Sequence, residues 1–271
     1  MEFDFTEITT RAIGQSTIGF VQLHSTFASS AGCGTLIRFG KVAGILTAAH
    51  VLDKLIELGT IGLLCFSIRP DKLQARRLDM SMVDYVRVGN ASYSGDGPDL
   101  AFLRLPIATA DAVDALGSFV YLDRQIENRK GPKPDSSCHA DFVVGVIEER
   151  RDDPSIEGNL SKTMFPGMIN AGKFVDERLV GALDILTFEP IPAPGLAPPT
   201  SYGGTSGGGA WRLLLRKNAD GTYDMVQRRL LGVAFYERPI NGVVHLDCHG
   251  SISLYDELVP RIRGRWSTEI S

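Results

Sequence analysis

The strongest constraint in this 271-residue chain is the recurrence of short apolar, β-branched runs, each closed by Gly, Pro, Asn or Asp. They are Ile18–Leu23, Gly34–Arg38, Val42–Thr47, Ile61–Ile68, Met82–Val88 and Leu100–Leu105, then Phe142–Glu148, Val180–Phe188, Trp211–Leu215, Leu230–Phe235 and Ser251–Leu254. Runs of this length bounded by turn residues predict strands. Asn218-Ala219-Asp220-Gly221 reads as a hairpin turn in which Gly221 is free to take positive φ. Helical signals are few. Ala49–Leu58 carries an apolar stripe, Thr109–Leu116 is a second candidate, and Tyr255–Arg263 is a closing helix limited by Pro260. An all-β class with a short C-terminal helix is expected. The least structured stretches are Arg124–Ser137, read as a connector between two halves, and the proline-rich Pro190–Gly204, read as a restrained loop.

Charge narrows the function classes. Lys and Arg number 28 against 32 Asp and Glu, a net charge of −4, so neither nucleic acid nor an anionic membrane is an expected partner. Val42–Leu52, the longest nearly uncharged apolar run, is too short to span a bilayer. The acidic start, Met1-Glu2-Phe3-Asp4-Phe5, has none of the features of an export signal. Cys33, Cys65, Cys138 and Cys248 lie far apart, which fits neither a disulfide framework nor a zinc site. A reducing compartment, most simply cytoplasm, is expected. Cys138-His139 and Cys248-His249, with His245 nearby, invite a metal reading. Adjacent strand residues face opposite sides, however, and no metal is expected.

Three segments carry chemistry. In Gly203-Gly204-Thr205-Ser206-Gly207-Gly208-Gly209 a serine stands among residues without side chains. That arrangement lets substrate approach a hydroxyl and lets backbone N–H groups face a developing oxyanion; glycine-serine runs also occur as plain loops. Ile45-Leu46-Thr47-Ala48-Ala49-His50 is an apolar strand ending in a histidine, which by itself fits a packed or surface group equally well. Asp99 opens the apolar strand that follows Gly97-Pro98, where an unpaired carboxylate is costly to bury. It needs a hydrogen-bonding partner, and an imidazole N–H is one. Asp96, beside Gly97-Pro98, reads as a turn residue.

Thr-Ala-Ala-His, then Asp-Leu-Ala-Phe-Leu, then Gly-x-Ser-Gly-Gly, in that order and at spacings of 49 and 107 residues, resembles the chymotrypsin/trypsin-like serine peptidases from about Ile18 to Arg263. The resemblance implies two antiparallel six-stranded β-barrels, residues 1–120 carrying His50 and Asp99 and residues 121–271 carrying Ser206. It implies Ser206 as nucleophile, His50 as general base and acid, Asp99 orienting the imidazole, and the N–H groups of Gly204 and Ser206 as the oxyanion hole. No cofactor is implied. The substrate would be a protein or peptide, and the absence of an obvious regulatory extension leaves room for a separate regulatory protein. A bacterial source is expected.

The chain departs from the pattern in three places. Thr205 stands where proteolytically activated members place an aspartate, so the oxyanion loop must be held by other contacts or by a partner. Val51 stands where secreted members place the partner of a cysteine at the position of Cys33, leaving Cys33 as a small buried residue. Thr200, followed by Ser201, stands at the pocket-floor position and speaks against a preference for Lys or Arg. Ala234-Phe235-Tyr236 is similar to the strand that pairs with substrate. Glu237 either presents a carboxylate at the pocket mouth or is a solvated loop charge. Two alternatives stay open: a protease-fold binding module without turnover, and a serine hydrolase acting on esters.

Overall fold

The apolar runs pair into two antiparallel bodies. The computed structural model describes residues 6–66, 75–89, 97–131, 134–136, 138–153, 155–157, 160–162, 165, 167–192 and 195–270; Asp96 lies outside them. The first body contains β1 (Thr17–Leu23), β2 (Ala28–Phe39), β3 (Val42–Thr47), β4 (Thr60–Cys65), β5 (Ala75–Asp79), β6 (Asp84–Val88), β7 (Leu100–Arg104) and β8 (Val120–Tyr121). The second contains β9 (Cys138–Val146), a small hairpin of β10 (Ser155–Glu157) and β11 (Leu160–Lys162), then β12 (Gly167–Val180), β13 (Leu183–Pro190), β14 (Gly209–Lys217), β15 (Tyr223–Ile240) and β16 (Val243–His249).

The second body closes into a six-stranded barrel in the order β12-β13-β16-β15-β14-β9. The first runs β5-β4-β1-β2-β3-β7-β6, an open path of seven strands in which β8 adds a short parallel pair to β2. It therefore differs in strand count and closure from the six-stranded ring expected for it. Gly221 takes φ +86, as its turn demands, and a second tight hairpin joins β15 to β16 through Asn241 and Gly242, at φ 51 and φ 82.

Among the described residues five α-helices decorate the sheets: α1 (Thr6–Ala12), α2 (Ala49–Leu58), α3 (Ile107–Asp114), α4 (Leu122–Lys130) and α5 (Val259–Arg265). The α2 stripe buries Val51, Leu52 and Leu55 against the first sheet. Helix α4 corrects the reading of Arg124–Ser137 as unstructured. Its charged residues face solvent, while Leu122 and Gln125 turn inward and Gln125 Oε1 accepts the Leu230 N–H of β15 at 3.0 Å. Burial of one turn and one amide on the barrel outweighs the weak apolar periodicity of the segment. Pro260 is accommodated because it occupies the first turn of α5, where an amide hydrogen is not needed, and the preceding Ser253–Leu258 is a π-helical turn.

The closing helix locks the two bodies together. Trp266, buried, meets Phe102 of β7 edge-on at 5.7 Å, and Arg104 forms a bidentate pair with Glu269 at 2.7 and 2.8 Å. One large cluster runs from Phe39, Leu46 and Phe102 of the first sheet to Trp211 and Leu213 of the barrel and Leu258 of the closing helix. Among the described residues, no helix is long and apolar enough to cross a membrane.

Candidate active site

Strand β3 delivers His50. It runs apolar to Thr47, and α2 starts two residues later, so His50 sits in the first helical turn at the edge of the cleft. Asp99 immediately precedes β7, which pairs with β3. The pairing brings the two side chains together across 49 residues of chain. Asp99 Oδ1 accepts the His50 backbone N–H at 2.8 Å, and Asp99 Oδ2 accepts from His50 Nδ1 at 2.5 Å. The carboxylate accepts, so Nδ1 carries the ring proton that it binds. Both side chains are mostly shielded, 20% and 15% exposed, which strengthens a charge-assisted bond.

Ser206 comes from the loop before β14 and shares with His50 a pocket of about 250 Å³. Its hydroxyl donates to the Phe235 carbonyl over 3.5 Å, a long bond. Ala234, Phe235, Tyr236, Glu237 and Leu246 line the same pocket. Thr200 and Ser201 lie outside that lining.

The backbone around Ser206 is nearly saturated. The carbonyl of Gly203 accepts from Glu148 N–H (2.8 Å), that of Thr205 from Gly208 N–H (2.9 Å), and that of Ser206 from Cys33 N–H (2.7 Å). The Gly204 carbonyl accepts the Cys33 thiol at 3.0 Å. Thr205 N–H donates to Tyr202 O and Gly207 N–H to Ala234 O, while Gly203 N–H takes Ser201 Oγ. Within 203–208, and among the described residues, the two N–H groups left without an acceptor are those of Gly204 and Ser206. The glycines make this possible: Gly204 has φ +95 and Gly207 φ +87, and a Cβ on Gly207 would collide with the Cys33 carbonyl and Thr47 Oγ1.

Carboxylates take over where Thr205 cannot. Thr205 is buried, its hydroxyl 3.4 Å from Val146 O. Glu149 Oε2 accepts from Thr200 N–H, Thr200 Oγ1 and Ser201 N–H at 2.6 to 3.0 Å. These bonds, the Thr200 hydroxyl first, hold its carboxyl below the ordinary range. Glu237 accepts Ser201 Oγ at 2.8 Å and Tyr202 N–H at 2.5 Å. Glu237, part of the pocket lining, is thus not a solvated loop charge; its two bonds clamp the segment leading to Ser206. Glu148 Oε2 also accepts from Ser30 N–H, and its carboxylate pairs with Arg151.

Two residues belong to this arrangement that the sequence did not single out for it. Cys33 is buried, its thiol pushed up to about 12 by burial, so it serves as a neutral hydrogen-bonding bracket that donates to Gly204 O and accepts Val146 N–H. Its Gly-Cys-Gly setting signalled packing and nothing more. His249, dismissed with the metal readings, accepts the Asp99 backbone N–H on Nε2 at 2.9 Å.

Two antiparallel bodies, a cleft lined from both and a closing C-terminal helix define the architecture. The fold is chymotrypsin-like. No protein-family model and no curated protein matches the chain. Among solved structures it is similar to a serine-to-alanine variant of the HtrA-type protease AlgW with a tripeptide, at 13% identity and a TM-score of 0.49, with 96% of this chain and 64% of that chain covered. This chymotrypsin-like chain therefore spans less than two thirds of that protein's length.

Proposed function

We propose that the protein is a serine endopeptidase that hydrolyses peptide bonds through an acyl-enzyme on Ser206. The observation that carries this reading is the pair of unspent N–H groups, Gly204 and Ser206, beside a hydroxyl and a histidine–carboxylate couple in one pocket. The Gly203 carbonyl is held by Glu148, and a trans peptide carries its N–H on the opposite side, so the Gly204 N–H faces away from that tie. In the proposed reaction His50 Nε2 takes the Ser206 proton as Oγ attacks the carbonyl, and the two N–H groups bind the resulting oxyanion. His50 then protonates the leaving amine, while Asp99 keeps the proton on Nδ1 and stabilises the imidazolium. Residues 1–120 supply the base and its orienter, and residues 121–271 the nucleophile.

A peptide is the substrate class that the wall formed by Ala234–Glu237 suits. The β14–β15 ladder ends at Val233, and Ala234 still bonds Gly207 and Gly208, so substrate backbone adds along the extended segment from Phe235 onward. The four cysteines are free, three buried and Cys138 exposed, which supports a reducing compartment such as cytoplasm.

One contact favours a second reading, a binding module without turnover: Ser206 Oγ is turned toward Phe235 O rather than held by a short bond. Rotamer exchange of a serine takes picoseconds to nanoseconds, so a 3.5 Å contact is a weak restraint on the hydroxyl. Labelling of the purified protein with a fluorophosphonate, against a Ser206→Ala control, separates the readings. Labelling that vanishes in the control is expected; a folded wild type that never labels would leave the binding module. Parallel peptide and ester libraries then test the bond cleaved, and turnover of esters alone would refute the peptidase assignment.

A further inference from the structure

His50 and Asp99 belong to the first body, whereas Ser206 belongs to the second, so something must hold the couple at the right distance from the nucleophile. Asp99 precedes β7 and its N–H lies outside the sheet ladder. That N–H donates to Nε2 of His249, 150 residues away at the end of β16, at 2.9 Å. His249 is fully buried, pairs with Val233 on the neighbouring strand β15, and stacks on the Phe235 ring with centroids 4.2 Å apart and planes 17° apart. Phe235 is the residue whose carbonyl receives the Ser206 hydroxyl. One strand pair, β15 with β16, thus touches the nucleophile through Phe235 and the backbone of Asp99 through His249.

We infer that His249 is a positioning residue that, as a neutral imidazole protonated on Nδ1, anchors Asp99 to the barrel and so registers the Asp99–His50 couple against Ser206. This inference rests on the serine-nucleophile reading above. The tautomer follows from the bond, because Nε2 faces a donor and must accept. Three carboxylates act on the ring through their charge. Asp99 is engaged by His50, Asp184 by the N–H groups of Ile252 and Ser253, and Asp247 by Arg178 and Arg238. Burial outweighs their pull and lowers the imidazole to about 4, so the ring is neutral at physiological pH. Nδ1 is buried without a partner among the described residues. A site that needed only an aromatic filler against Phe235 would be served by phenylalanine without an orphaned donor; the acceptor on Nε2 is what histidine adds.

The test uses fluorophosphonate labelling kinetics of wild type, His249→Phe and His249→Gln. The Phe variant keeps the stack and loses the acceptor, whereas Gln restores an acceptor at the end of a side chain of similar reach. The maximal labelling rate of the Phe variant is expected to fall on the order of 10- to 100-fold with the half-saturating probe concentration unchanged, and Gln to recover most of it. Equal rates in all three, or equal losses in both variants, would overturn the inference while leaving the labelled wild type, and with it the nucleophile, intact. A wild type that does not label would remove both. Ring ¹⁵N NMR of the wild type decides the matter without a variant: His249 must carry its proton on Nδ1, and a protonated Nε2 would sink the inference.

Discussion

The carbonyl of Gly203 accepts the backbone N–H of Glu148 at 2.8 Å. This bond links the end of the first barrel strand to the turn before Ser206 and fixes which way the Gly203–Gly204 peptide faces. With the bonds of Glu149 and Glu237 it orders the segment before Ser206, where Thr205 itself offers no carboxylate. Each carboxylate does part of this work.

Glu237→Ala removes the acceptor for Ser201 Oγ and Tyr202 N–H together. Bonds to a charged acceptor contribute roughly 1.5–3 kcal/mol. If that order is felt at the oxyanion loop, labelling of Ser206 should slow by about tenfold or more, with a normal circular dichroism spectrum. An unchanged labelling rate would show that Glu148, Glu149 and Cys33 hold the loop without Glu237.

Asp99→Asn keeps the size of the side chain and loses the acceptor-only character that holds the His50 proton on Nδ1. Turnover is expected to drop on the order of 10⁴-fold with little change in substrate affinity. Steady-state kinetics on any peptide found in the library screen measures it, and a loss confined to KM would contradict the assigned role.

Acid stability carries the signature of His249. In the fold burial lowers it to about 4, below the 6.5 of a free imidazole. The unfolded chain therefore binds this proton first. Above pH 6.5 the ring is neutral in both states and the effect is nil; stability then falls as pH drops toward 4 and levels off below it. Between pH 7 and 5 the loss should reach about 2 kcal/mol. Urea titrations at the two pH values should show that loss in wild type and not in His249→Gln. The carboxylates held below their ordinary range, such as Asp84 and Asp256, also release stability in acid, but equally in both proteins.

Trp266→Ala opens the seam between the closing helix and the first sheet. The indole packs on Phe102 and lies under the Arg104 guanidinium, which is itself paired with Glu269. A loss of roughly 3–5 kcal/mol is expected from the void alone. A chemical denaturation midpoint within error of wild type would show that the C-terminal segment does not hold the two bodies.

Much of the fold was legible because its signals are local. The α2 stripe spans Ala49–Leu58 in the sequence and in the structure, since one turn of helix reads its own residues. Helix α4 was missed because its apolar content is slight: Leu122 and Gln125 make it a helix only once the barrel is there to receive them. The Asn241-Gly242 turn was a signal present in the sequence and passed over.

By itself the sequence determined the strand-rich class, the turn chemistry and the three segments that bring a histidine, an aspartate and a serine to one cleft, because spacing, alternation and glycine placement act over a few residues. Tertiary structure alone decided what orders the cleft: Glu148 against Gly203, Glu237 against Tyr202, Cys33 against Gly204, and His249 against Asp99. Each of these joins residues 35 to 171 positions apart. No local pattern encodes such a bond, because its partners become neighbours only after the sheets have closed and the intervening chain has given up its freedom.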